Sequence, residues 1–266
     1  MSTLKEYEGK YSQVQFERSN GVLLVRLHTD GGPLVWNGRA HEDLGRMFAD
    51  IGNDHHNHVV ILTGTGDSFI AEVDLGEQAS LSGGVYARLF REGRHLTANL
   101  LDIDVPVIAA VNGPATVHAE LAVLCDIVLA VDSAVFSDSP HFPMGIVPGD
   151  GVHVVWPMLL GPNRGRYFLL TGQQLNAREA LELGVVNEVV SAERLLPRAF
   201  ELAALVLRQP ARIRSYARQL LVHDIKRKMA ESLTVGIAME GLGAAEYWPV
   251  GQHRFPTGDQ TEREVV

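Results

Sequence analysis

One cysteine, Cys125, is all that 266 residues contain. That scarcity excludes an internal disulfide and fits a reducing compartment. Positive charge is also in short supply: 23 Lys and Arg stand against 32 Asp and Glu, a formal net charge of −9. Nucleic-acid phosphates and anionic membrane surfaces would both be repelled by such a chain. No apolar run reaches the roughly 18 to 20 residues that a bilayer span requires. The polar opening "MSTLKEYEGKYSQ" carries no secretory signal. What is present is an ordinary globular composition, 46% apolar and 21% charged. The chain is long enough to bury a substantial core. The expectation is a soluble cytoplasmic protein with no nucleic-acid or membrane partner.

Along the first half, "GVLLVRLHT" (21–29), "HVVILTGTG" (58–66), "VPVIAAVNG" (105–113) and "DIVLAVDSAVFSD" (126–138) are β-rich apolar runs. They read as strands, some buried on both faces. Between them, "AHEDLGRMFADIG" and "VYARLFREGRHLTANLLD" place apolar residues three and four apart, as an amphipathic helix requires. Alternation of this kind predicts a mixed α/β architecture with crossover connections. After Gly151 come short helical stretches ending at glycine and one further strand in "VVNEVV". From about Ala192 the pattern is helical, until a polar, proline-containing tail over 249–266.

Several signals carry little chemistry. "DHHNH" (54–58) clusters histidines in a polar segment before a strand and lacks further metal ligands at suitable spacing. "GTGDSF" has Phe69 where a dinucleotide fingerprint needs its third glycine. Ser137 and Ser139 belong to no nucleophile elbow, and Cys125 sits inside an apolar run as an inert thiol would.

"SDSPHFPMGIVPGDG" (137–151) is different. His141 lies between two prolines, and Asp150 follows in a second proline-glycine turn. A histidine becomes a general base near neutral pH when an acceptor holds its second nitrogen, and Asp150 is the carboxylate that a turn would bring back. On spacing alone an equal reading stands: His141 fills a turn and Asp150 caps the next helix. His118, after "VNGPATV", falls at the start of an expected helix, where backbone N–H groups favour a developing oxyanion. A histidine near a helix start with no ligand is the equal alternative.

Over residues 14 to 245 the chain resembles the crotonase (enoyl-CoA hydratase/isomerase) superfamily. The resemblance rests on "VVILTGTGDSFIAEVDL", "VPVIAAVNGPA" leading to "ELAVLCDIVLA", "FSDSPHFPMGIVPGDG" and "LLTGQQLNAREALELGVVNEVV". It implies a crotonase fold, a spiral of ββα units over 1–195 with a helical trimerisation region over 196–248. The loops "IAEVD" and "TVHAE" would then lie at the oxyanion hole. The departures matter. "TVHAE" replaces the family's glycine run with His118, Glu120 falls at the first glutamate's position, His141 at the second's, and Glu72 replaces a glycine. These departures are similar to a branch that includes 6-oxocamphor hydrolase and related β-diketone hydrolases. "GPLVW" with Trp36, "NGPATVH" with His118, "PHFPMGIVPGDG" with His141 and Asp150, and "GIAME" with Glu240 carry that likeness.

The resemblance implies hydrolysis of a C–C bond in a cyclic diketone by a retro-Claisen reaction, with no cofactor and no metal. His141 would be the base and Asp150 its orienting carboxylate. His118 would bind a carbonyl oxygen, Trp36 would contact substrate, and Glu240 would orient His118. A homotrimer or a dimer of trimers is expected. One alternative is a crotonase acting on an acyl-CoA, with Glu120 as acid/base; another is a non-catalytic family member serving as a scaffold or RNA-binding protein, against which the acidic balance and two framed histidines argue.

Overall fold

The computed structural model describes residues 3–74, 76 and 83–247, so the tail expected over 249–266 lies outside the described residues. A six-stranded sheet forms the centre, in the order β1 (Val14–Ser19), β2 (Val22–Leu27), β4 (Val59–Thr63), β6 (Val107–Val111), β7 (Ile127–Val131), β10 (Glu188–Val190). All neighbours are parallel except β1 and β2, which form an antiparallel pair. β4 ("VVILT") and β6 ("VIAAV") are buried at every position, which is why they read as unbroken apolar runs rather than alternating ones. Among the described residues β1 ("VQFERS") pairs with β2 alone, and it alternates buried or half-buried with exposed residues. Its polar positions interrupt the apolar pattern that marks the central strands.

A second, thinner layer of short pairings runs beside the main sheet. β3 (Val35–Trp36) pairs with β5 (Glu72–Val73), Ile70 bridges to Ala115, Ala115 bridges to Phe136, and β8 (Val135–Phe136) pairs with β9 (Leu175–Asn176). Each turn of the chain thus contributes one long strand to the main sheet, one short pairing to the second layer, and then a helix. α1 (Leu4–Tyr7) precedes β1, and the helices of the spiral are α2 (Gly38–Gly52) after β3, α3 (Gly83–Leu101) after β5, α4 (Glu120–Val123) after Ala115, and α5 (Val152–Leu160) after β8. This is the expected spiral of ββα units. Capping fixes the start of α2: Asn37 accepts from the backbone N–H groups of Arg39 and Ala40, both at 3.0 Å.

Helices α6 (Pro162–Thr171), α7 (Ala177–Glu182), α8 (Ala192–Leu207), α9 (Ala211–Leu221) and α10 (His223–Tyr247) complete the described chain. α8 packs against β4, β6 and β7, so the expected boundary at 195/196 falls inside a helix that belongs to the core. α10 crosses back to pack on α3 and α5, and that return closes the site. Among the described residues no helix is long and apolar enough to cross a membrane.

Candidate active site

The second layer sets out the site. Trp36 ends β3, Val73 ends β5, His118 lies three residues beyond Ala115, and His141 lies five beyond Phe136. Consecutive turns of the spiral therefore deliver their side chains to one place. Backbone bonds lock the loops together: Thr116 and Val117 both donate to the carbonyl of Ile70, at 2.9 and 3.2 Å. The Ser139 N–H and hydroxyl donate to the Thr116 carbonyl at 3.0 and 2.7 Å. Those last two bonds hold the His118 loop against the His141 loop.

The result is a cavity of about 110 Å³ whose lining includes Trp36, His118, His141, Asp150 and Glu240. Sequence reasoning singled out these five residues, and the fold brings all of them to one wall or another of the same space. Tyr86 and Leu89 from α3 and Ile237 from α10 close the opposite side. The Tyr86 hydroxyl donates to the Ile237 carbonyl and ties the two helices together.

Pairing within the cluster differs from the expected one. The expectation put Asp150 on the nitrogen of His141 remote from the chemistry. Instead Asp138 holds Nδ1 at 2.5 Å, while Asp150 Oδ2 lies 3.4 Å from Nε2, on the cavity side. The reason is local. Met144 and Ile146 both donate to the His141 carbonyl at 2.9 Å, and this tight turn presents Nδ1 to the carboxylate three residues back. Asp138 sat at the end of an expected strand over 126–138, but the strand stops at Val131 and resumes only for Val135–Phe136. The i, i+3 spacing of Asp138 and His141 was the available signal.

His118 also differs. The helix expected after it is a single turn, Glu120–Val123, too short to act as a dipole. Its orienting carboxylate is Glu120, at 2.6 Å from Nδ1, and not Glu240. Two residues of separation let Glu120 fold back, whereas Glu240 reaches the cavity from α10. Asp150 Oδ2 lies 3.4 Å from His118 Nδ1 as well, so one carboxylate stands between both histidines. His118 adopts φ +46°, a left-handed conformation that suits glycine and costs a β-carbon-bearing residue about 1–2 kcal/mol. The Trp36 ring lies against the imidazole at 3.9 Å between centroids, an arrangement that favours the charged ring.

Electrostatics follow from burial and pairing. Burial disfavours a charged His118, but the Glu120 and Asp150 carboxylates outweigh it and raise its pKa. Burial opposes a charged His141 too, yet Asp150 and Asp138 together hold it well above the usual histidine value. Asp150 resists ionisation through burial, but His141 and then His118 pull it well below the ordinary carboxylate range. Burial raises Glu120 despite its histidine. Glu240 is half-buried, with Oε2 enclosed and without a hydrogen-bond partner among the described residues, and burial pushes its pKa up to about 8.

Two further features were not read from the sequence. His41, on α2, lines the cavity with its Nδ1 3.0 Å from Glu92 of α3. It sits in an ordinary amphipathic helix and carries no local signal. His118, Glu120 and Asp150 also place one ligand atom each within 4.8 Å of one another, close enough for a metal ion. Nδ1 of His118 is already engaged by Glu120 at 2.6 Å.

A family model described as enoyl-CoA hydratase/isomerase matches residues 17–242. Among solved structures, a β-diketone hydrolase of the cyanobacterium Anabaena sp. PCC 7120, with (S)-3-oxocyclohexyl acetic acid bound, superposes with TM-score 0.89 at 44% identity. That match covers 91% of this chain and 97% of the other. A putative enoyl-CoA hydratase/isomerase of Bacillus subtilis is 34% identical over 240 residues, 89% of this chain and 90% of that protein. A crotonyl-CoA hydratase of Syntrophomonas wolfei is 38% identical over 160 residues, 59% of this chain and 61% of that enzyme's length.

Proposed function

The chain belongs to the enoyl-CoA hydratase/isomerase family, and we propose that within it this protein is a carbon–carbon hydrolase that opens cyclic β-diketones to keto acids by a coenzyme A-independent retro-Claisen reaction. The observation that carries this reading is His141, held at Nδ1 by Asp138 with Nε2 turned toward Asp150 in the cavity. The likeness to the Anabaena β-diketone hydrolase supports it.

Neutral His141, its Nδ1–H donated to Asp138, takes a proton at Nε2 from a water lodged beside Asp150. The hydroxide oxygen bonds to one carbonyl carbon of the diketone. When the tetrahedral intermediate collapses, the bond to the central carbon breaks and its electron pair becomes the enolate of the second carbonyl. The substrate supplies that electron sink, so the step needs no cofactor. The proton on His141 then returns to the enolate carbon. His118, with Nδ1 committed to Glu120, donates from its other nitrogen to the oxygen that gains charge, which in such sites is worth about 3 kcal/mol. The cavity, at about 110 Å³, is small and lined by both apolar and polar side chains, which favours a compact cyclic diketone over a long-chain substrate.

The acyl-CoA alternative would use Glu120 as acid/base. Its side chain is 1% exposed, does not line the cavity and is tied to His118, which argues against that role. The test is a set of monocyclic and bicyclic 1,3-diketones, followed by loss of their absorbance, beside calorimetric titration with coenzyme A. Cleavage to keto acids without added coenzyme A or metal is the expected result. Coenzyme A binding together with enoyl-CoA hydration far faster than diketone cleavage would overturn the reading.

A further inference from the structure

Helix α9 buries two arginines in different ways. Arg218 donates to Asp126 at 2.7 Å and to the carbonyls of Leu100, Leu101 and Ile103. Arg214, one turn earlier, is 7% exposed, yet among the described residues it pairs with no carboxylate. It donates to the Gln209 carbonyl, and its Nε has no hydrogen-bond partner. A buried cation without a counterion is unfavourable, and Arg214 stands at a place where one can enter.

That place is a cavity of about 210 Å³ lined by Arg214, Arg212, Ser215, His55 and His58. It lies where the chain enters β4 and β6, since its lining includes Asn57 and Val105, just before Val59 and Val107. The site around His141 follows the opposite ends of these strands. The first turn of the 11-residue α9 opens onto the cavity, and Pro210 supplies no side-chain acceptor for its N–H groups. Such a turn favours an anion. Asp54 also lines the space, but its carboxylate is fully buried and taken by Arg18 and His56. Exposed Asp104, which accepts from Gln219, is the lining carboxylate that opposes an anion.

We propose that this cavity binds a phosphate group, with Arg214 as its buried counter-charge and Arg212, Ser215 and the start of α9 as further donors. A phosphate matches several donors around one centre better than a carboxylate, because it offers more acceptor oxygens and a charge near −2. The inference is independent of what the His141 site does.

Inorganic phosphate is titrated into the whole protein at fixed ionic strength, with chloride as the control, and followed by calorimetry and thermal unfolding. The expected result is saturable binding and a phosphate-specific rise in Tm. Arg214→Met should weaken binding by at least about tenfold, and its Tm should no longer rise with phosphate. Arg212→Gln, an exposed change, should weaken binding by a smaller factor. A phosphate monoester run in parallel separates the two sources: tighter binding than inorganic phosphate points to a phosphorylated metabolite. No phosphate-specific response in the unaltered protein would overturn the proposal. A change of molecular mass in Arg214→Met by light scattering would overturn it too, by showing that a carboxylate from another copy is the missing counterion.

Discussion

His141 carries a carboxylate toward each ring nitrogen, and the two should fail differently when neutralised. Asp138→Asn leaves the cavity wall intact but offers an amide where Nδ1–H needs an acceptor, so the wrong tautomer is favoured. Turnover should fall by about 10²-fold or more with KM little changed. Asp150→Asn removes charge from the cavity side of both histidines, so substrate affinity and turnover should change together. His141 must be neutral to act as a base, and both carboxylates hold its pKa well above the ordinary value. The acidic limb of kcat/KM should therefore lie above pH 6.5 and move down in either variant. A profile that stays put in both would remove His141 as the base. Glu240 gives a stability signature. Its folded pKa of about 8 exceeds the ordinary value of 4.5, so the folded state holds its proton more tightly than the unfolded chain. That contribution is complete below about pH 4.5 and is lost as pH rises through about 8. Glu240→Gln should flatten the fall in Tm across that window and raise Tm at pH 8. The gain should be about 2–4 °C for each kcal/mol recovered. An unchanged slope would mean that Glu240 ionises freely.

At the scale of elements, what the sequence revealed depended on whether the signal was local. The central strands were legible because burial on both faces leaves continuous apolar runs. The edge strand β1 was not, because half of its residues face solvent. Residues of the site were legible where turns frame them, as prolines and glycines frame His141 and Asp150. Their pairing was not, because Asp138, Asp150, Glu120 and Glu240 are chemically alike and only the path of the backbone decides which one meets which nitrogen. His41 escaped for the same reason, since an amphipathic helix does not announce which groove it faces. One crossing controls much of this pairing. A β-carbon at Gly236 of α10 would strike the Gly149 carbonyl and the His153 ring, so helix and turn touch backbone to backbone. Gly236→Ala should push α10 away from the turn that bears Asp150 and carry Glu240 with it. Overpacking of this kind costs about 1–3 kcal/mol, and kcat/KM should fall beyond what a lower Tm explains at assay temperature. Thermal unfolding and kinetics on one preparation check both effects, and full activity in the variant would show that the crossing does not set the site.

For the molecule as a whole, α9 and α10 each use one face and leave another open. Ile237 and Glu240 turn inward to the cavity, while Leu242 on the same helix is 64% exposed and Leu221 at the end of α9 is 80% exposed. Val235, Met239 and Leu220 add to this apolar surface. Exposed leucines scattered singly need no explanation, but a group on two successive helices is more apolar surface than a lone soluble chain usually leaves in water. A net charge of −9 does not prevent association, because it is spread over the surface and screened within about 8–10 Å by physiological salt. We propose that the chain assembles through α10 and the C-terminal end of α9; the trimer or pair of trimers is the stoichiometry that the crotonase resemblance implies. Light scattering should give a mass at least three times that of the monomer, and Leu221→Glu combined with Leu242→Glu should lower it. Because α10 also forms a wall of the cavity, losing the proposed assembly should loosen Glu240 and Ile237. KM for the diketone should then rise while circular dichroism stays unchanged. A monomeric native protein, or a dissociated variant with unaltered KM, would separate the surface of α10 from its role in the cavity.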